Sequence, residues 1–159
     1  MARDFHITPV RVVDDIKAAA ELFASYATSL HVDLGYQGFD AELAALPGKY
    51  APPPGELLLA RDCQGTPVGC VGLRPLSAEG CCEMKRLFIL PSARGLGLGR
   101  AMAEAVIETA KQRGYNELRL DTLATMTAAI NLYEQMGFNR ISPYYKPTPA
   151  GTVFMALRL

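Results

Sequence analysis

Histidine is scarce, cysteine sparse and net charge absent, and each shortage excludes a class of function. His6 and His31 are the only histidines. Neither stands at metal-ligand spacing from Cys63, Cys70, Cys81 or Cys82, which themselves form no CxxC pair. Neither a metal site nor a redox dithiol is therefore expected. The cysteines read as free thiols, mostly buried, with Cys81 and Cys82 pointing to opposite faces of a strand. No histidine is placed to activate either of them, so a covalent thiol route is not expected. Lys plus Arg and Asp plus Glu number 16 each, so no charge excess calls for a nucleic acid or an anionic membrane. The start, MARDFHITPVRVVDD, carries charge early and no long apolar run follows. Neither a signal peptide nor a membrane span is visible, and the cytoplasm is the expected compartment. Internal repeats and low-complexity segments are also missing.

What remains is a chain of 159 residues, 50% hydrophobic, enough for one domain over 1–159 with a sizeable core. Residues 5 to 12 suggest a first strand. Asp14 and Asp15 favour a helix start, and Ile16, Ala19, Ala20, Phe23, Ala27 and Leu30 form one apolar stripe. A connection from His31 to Phe39 leads to a short helix over Asp40 to Leu46, ended by Pro47 and Gly48. Pro52 to Gly55 make a stiff connector. Strands are expected at 56 to 61 and 67 to 74, joined by a hairpin turn, and at about 81 to 90. A long helix from Leu98 to Gly114, a strand from Glu117 to Asp121 and a helix from Thr127 to Met136 follow. Segments 138 to 142 and 152 to 159 close a hairpin. Strands first as hairpins, then alternating with helices, predict an α/β fold with a mixed sheet and helices on both faces.

The chain is organised around EMKRLFILPSARGLGLGR, Glu83 to Arg100. A strand through Leu87, Phe88, Ile89 and Leu90 stops at Pro91, which has no N–H to give. Gly95, Gly97 and Gly99 then alternate between Arg94 and Arg100, and a helical apolar stripe begins at Leu98. Free amides at a helix N-terminus, flanked by two arginines, suit a phosphate or diphosphate. Glycines chosen only for their backbone angles would look the same. A P-loop is excluded because Gly99 is followed by Arg100 and Ala101. A dinucleotide fingerprint is excluded because Arg100 and Met102 occupy its third glycine position.

Arg94, Gly97 and Gly99 instead fill Arg-x-x-Gly-x-Gly. With the preceding strand and LYEQMGF at 132 to 138, the stretch closely resembles the GCN5-related N-acetyltransferase (GNAT) family, over roughly residues 56 to 142. The resemblance implies that fold, with about seven mostly antiparallel strands and a splay between the two central ones. It implies acetyl-coenzyme A as the acyl donor. Its diphosphate would lie on Arg94, Gly95, Leu96, Gly97, Leu98, Gly99 and Arg100, and its pantetheine arm along Leu87, Phe88 and Ile89. Tyr133 takes the position of the family's general acid, close to the coenzyme sulfur; without the motif it would read as a core tyrosine. Relatives often carry an asparagine where this chain has Met126, so backbone contacts must supply more of the arm's binding.

Acetyl transfer to an amine also needs a proton acceptor. Glu83 stands at the offset of a catalytic glutamate in one branch of the family, and a carboxylate on a central strand needs a partner or a task. A structural pairing with Lys85 or another cation is the competing reading. Asp121, twelve residues before Tyr133, is the rival base, or a helix cap. Asp33, Tyr36, Gln37, Glu83 and Arg86 are candidate acceptor contacts, with Tyr50 beyond; a closed pocket under Tyr36 and Tyr144 would favour a small metabolite, a groove open at both ends a protein acceptor. Arg86, Arg74 and Lys85 suit an acceptor carboxylate, Asp33, Asp40 and Glu83 a cationic amine. A small-molecule amine is the expected acceptor, with no metal; a protein N-terminus or lysine, or a coenzyme A sensor without catalysis, are the alternatives. A homodimer is the expected assembly.

Overall fold

Burial on both faces decides the middle of the fold. In the computed structural model, which describes residues 4–30 and 33–159, three consecutive antiparallel strands are buried at nearly every position, charged residues included: β2 (Glu56–Arg61), β3 (Pro67–Pro75) and β4 (Cys81–Ile89). Leu58 and Ala60 point into one core, Leu57 and Leu59 into the other, as the two-residue strand period requires. Helix α1 (Val13–Ser29) covers the second core with Ala19, Leu22 and Phe23. On the opposite face lies α3 (Leu98–Gln112), with Leu98, Met102, Ala103, Val106 and Ala110 turned inward.

The remaining elements are β1 (His6–Pro9), α2 (Phe39–Ala44), β5 (Glu117–Thr122), α4 (Thr127–Gln135), β6 (Asn139–Ile141) and β7 (Val153–Arg158). One sheet of seven strands results, in the order β1-β2-β3-β4-β5-β7-β6, antiparallel except for β4 against β5. This is the expected mixed sheet, with small differences at the ends. The first strand stops at Pro9, and the chain turns through Val10, whose N–H reaches the Leu57 carbonyl, directly into α1. Helix α2 starts one residue earlier than expected and ends at Ala44. Cys70, Cys81 and Cys82 are buried and Cys63 exposed, all reduced.

Two close approaches fix the site's surroundings. Gly72 leaves room for the Tyr50 ring, whose carbons would stand 2.5 Å from any Cβ at 72. Tyr50 is thus a core residue, edge-on to Phe23, and not the acceptor contact expected from the sequence. The proline connector is gripped by Arg113 at the end of α3, which donates to the carbonyls of Pro53 and Gly55 and to Glu56, while the Tyr115 hydroxyl donates to the Pro54 carbonyl.

Candidate active site

Strands β4 and β5 pair only from Cys81 to Glu83 against Glu117 to Arg119. Beyond that they part, and a cavity of about 510 Å³ opens between Met84 to Ile89 on one side and Leu120 to Leu123 on the other. Tyr26 of α1 and Leu30 just beyond its end line it, as do Met126 to Ala129 and Leu132. This is the splay that the family resemblance implied.

A bulge in β4 shapes its floor. Gly72 pairs with Lys85 and Cys70 with Phe88, so Arg86 and Leu87 together face Val71. Arg86 takes φ 60, the one non-glycine residue with positive φ among the described residues. Such a conformation costs on the order of 1–3 kcal/mol and persists only where the surroundings enforce it. The extra residue breaks the up-down alternation, and Lys85, Arg86, Leu87, Phe88 and Ile89 all line the cavity.

The glycine turn lies at the Ile89 end. Gly95 (φ 76) and Gly97 (φ 81) adopt left-handed conformations, and Gly97 caps α3 without any side chain on its first amides. Arg94 lies across the Phe88 ring and donates to the Ile89 carbonyl at 2.9 Å; Arg100 reaches Gln135 at 3.1 Å. Of the eleven residues expected at the coenzyme, Leu87, Phe88, Ile89, Arg94, Gly99 and Tyr133 line the cavity. Gly95, Leu96, Gly97 and Arg100 form the exposed turn outside it, and Leu98 is buried in the core below.

Tyr133 packs its ring on Phe138, yet its hydroxyl makes no hydrogen bond to any described residue. Burial raises its pKa above the ordinary tyrosine value, helped by Tyr26 and Asp121, so it is a neutral phenol at physiological pH. Burial also pushes the Cys82 thiol up to about 12, which agrees with inert cysteines.

The two carboxylates considered as bases part company here. Glu83, in the last residue pair before the strands separate, is fully buried and does not line the cavity. Arg74 donates to it at 2.8 Å and the Tyr144 hydroxyl takes its other oxygen. Its partner is thus Arg74, not Lys85. Asp121 does line the cavity, and Lys85 pairs with it at 3.0 Å across the gap. The Tyr145 hydroxyl donates to its second oxygen at 2.5 Å and the Gln37 amide at 3.2 Å.

Of the expected acceptor contacts, Gln37 and Arg86 reach the cavity and Glu83 does not. Asp33 is exposed and accepts from the Gly35 N–H at 2.8 Å, a local turn cap. His31 and the side chain of Tyr36 lie outside what is described. Tyr144 packs on Tyr145 and Phe154 instead of closing the cavity. Sequence reasoning missed Tyr26 and Tyr145. The second sits in a proline-rich loop where only its aromatic character could have drawn attention. Among the described residues no cluster could hold a metal ion, and no helix is long and apolar enough to cross a membrane.

Comparison with known proteins agrees with this geometry. The profile of the Acetyltransferase (GNAT) family matches residues 18–138. An uncharacterised N-acetyltransferase of Schizosaccharomyces pombe is 39% identical over 96% of this chain and 94% of its own. A crystal structure of a candidate acyl-CoA N-acyltransferase from Klebsiella pneumoniae is 33% identical, covers 98% of both chains and superposes with a TM-score of 0.73. A GNAT-family acetyltransferase from Staphylococcus aureus shares the fold at a TM-score of 0.80 with 20% identity, covering 97% of this chain and 98% of its own.

Proposed function

Because this chain belongs to the acetyltransferase (GNAT) family, we propose that it moves an acetyl group from acetyl-coenzyme A directly to the primary amine of a small molecule. One observation carries the reading: the parted strands, Gly99 of the uncapped helix start and a phenol with no hydrogen-bond partner among the described residues all line one cavity. That cavity has the features the donor needs. Gly95 and Gly97 leave amides clear for a diphosphate, with Arg94 and Arg100 beside them, and the inner edge of β4 from Met84 onward has lost its β5 partner and can pair with amide groups of an arm. When bound, acetyl-coenzyme A supplies an electrophilic thioester.

The chain's own residues supply the rest. Tyr133, kept neutral by burial, holds a proton for the departing thiolate. Asp121 is the cavity's carboxylate and takes the ammonium's proton or anchors it while water removes it. Lys85, Tyr145 and Gln37 fix its orientation, so little reorganisation is needed on binding. Calorimetry with coenzyme A, followed by thiol release across a panel of amines, tests the reading. Tight coenzyme binding with amine-dependent turnover is the expected result. Binding without turnover would leave a sensor, and absence of binding would remove the reading altogether.

A further inference from the structure

Resting on that reading, we infer that the acceptor is an amino acid, whose carboxylate Arg86 holds while Asp121 takes its amino group. The buried charges leave hydrogen-bonding positions unfilled. A guanidinium has five N–H donors. Arg86 spends Nε on Glu42 at 2.9 Å, one proton of Nη2 on Glu42 at 3.4 Å and one of Nη1 on Gln37 at 2.6 Å. One N–H remains on each terminal nitrogen, the pair that meets a carboxylate in a two-pronged fork. The Phe39 ring covers one face of the group 5.0 Å away, and only 2% of the side chain is exposed, yet it lines the cavity.

Asp121 is the counterpart. A carboxylate offers about four acceptor positions. Lys85 fills one on Oδ1, and Tyr145 and Gln37 fill two on Oδ2, so one position on Oδ1 is left for an ammonium. The Gln37 amide touches both groups, its oxygen on Arg86 and its nitrogen on Asp121. Gln37 therefore bridges two groups that line the same cavity, so an amine and a carboxylate carried on a single carbon can address both. A plain alkylamine would leave two desolvated N–H groups of Arg86 against hydrocarbon, which is unfavourable. An amino acid fills both ends and, being a zwitterion, adds no net charge to a site where Glu42 already balances Arg86 and Lys85 balances Asp121.

The test compares matched acceptors on the unaltered protein: the proteinogenic L-amino acids against the amines left by removing their carboxyl groups, with acetyl-coenzyme A as donor and the product weighed by mass spectrometry. At least one amino acid should exceed its decarboxylated partner tenfold or more in kcat/KM. Calorimetry should show that amino acid, and not the amine, binding to the protein saturated with coenzyme A. Arg86→Lys, which keeps the charge and loses the fork, should bring the ratio within the pair towards one, mainly through KM. Turnover of amines that equals or exceeds that of every amino acid would overturn the inference and leave the acetyltransferase reading intact. An undiminished ratio in Arg86→Lys would also overturn it. Failure of coenzyme A itself to bind would remove both.

Discussion

Tyr133 carries one atom that its fold does not need. Its ring fills the core beside Phe138, whereas its hydroxyl has no partner among the described residues. Tyr133→Phe should therefore leave the melting temperature nearly unchanged while kcat falls on the order of 100-fold, the usual worth of a placed proton donor. A small loss in kcat would remove Tyr133 from that role. Glu83 shows the opposite pattern. Glu83→Gln breaks a buried pair with Arg74 and should cost about 3 kcal/mol in chemical denaturation. In that variant kcat should be nearly retained, whereas Asp121→Asn should lower it on the order of 100-fold, and the reverse outcome would reinstate Glu83 as the base. Sequence spacing placed both carboxylates near the chemistry. It could not distinguish them, because the partners that decide, Arg74 with Tyr144 and Lys85 with Tyr145, are chosen by strand pairing and by a loop far along the chain.

At the scale of elements, α3 and β2 make separable demands. Gly99 is helical and its nearest neighbour to an added Cβ is Leu132, at 3.9 Å. Gly99→Ala should raise stability by about 0.5–1 kcal/mol, since alanine loses less backbone entropy in a helix. The same methyl is added on the cavity wall, so on the proposed reading coenzyme A affinity measured by calorimetry should fall tenfold or more. Glu56 ties β2 to Arg11 and to Arg113 of the α3 terminus. Burial alone would raise its pKa, but the bond from Arg11, the Leu57 amide and the charge of Arg113 together hold it below the ordinary glutamate value. A folded value below the unfolded one means stability present at neutral pH and lost as pH falls below about 4. Glu56→Gln should thus cost roughly 2 kcal/mol at pH 7, with Arg11 half exposed and partly screened, and the difference from wild type should shrink in acid-titrated melts. The elements themselves were legible, because period-two and period-3.6 patterns and the Pro91, Gly114 and Gly137 stops are local signals. The bulge was not. No propensity marks Arg86 for positive φ, and only the register of β3 against β4 reveals that one residue is extra.

Across the whole molecule, the glycine turn and the acceptor end differ in how charge is arranged. Arg94 and Arg100 stand on an exposed helix start, with Arg100 facing Glu104 at 3.9 Å in solvent. Around Asp121, by contrast, Glu83, Arg74, Glu42 and Arg86 form one largely buried chain of alternating charge, and Gln37 bridges it to the buried Lys85–Asp121 pair. Mobile ions screen exposed charges over about 10 Å at 0.1 M and reach buried pairs far less. Raising potassium chloride should therefore weaken coenzyme A several-fold while the acceptor's KM hardly moves. Equal sensitivity of both constants would show that the alternating array is wetter than its geometry indicates. If the proposed reading holds, charges that cancel inside the cavity wall should leave acceptor binding indifferent to the ionic composition of the surroundings, and the response to salt should come from the donor alone.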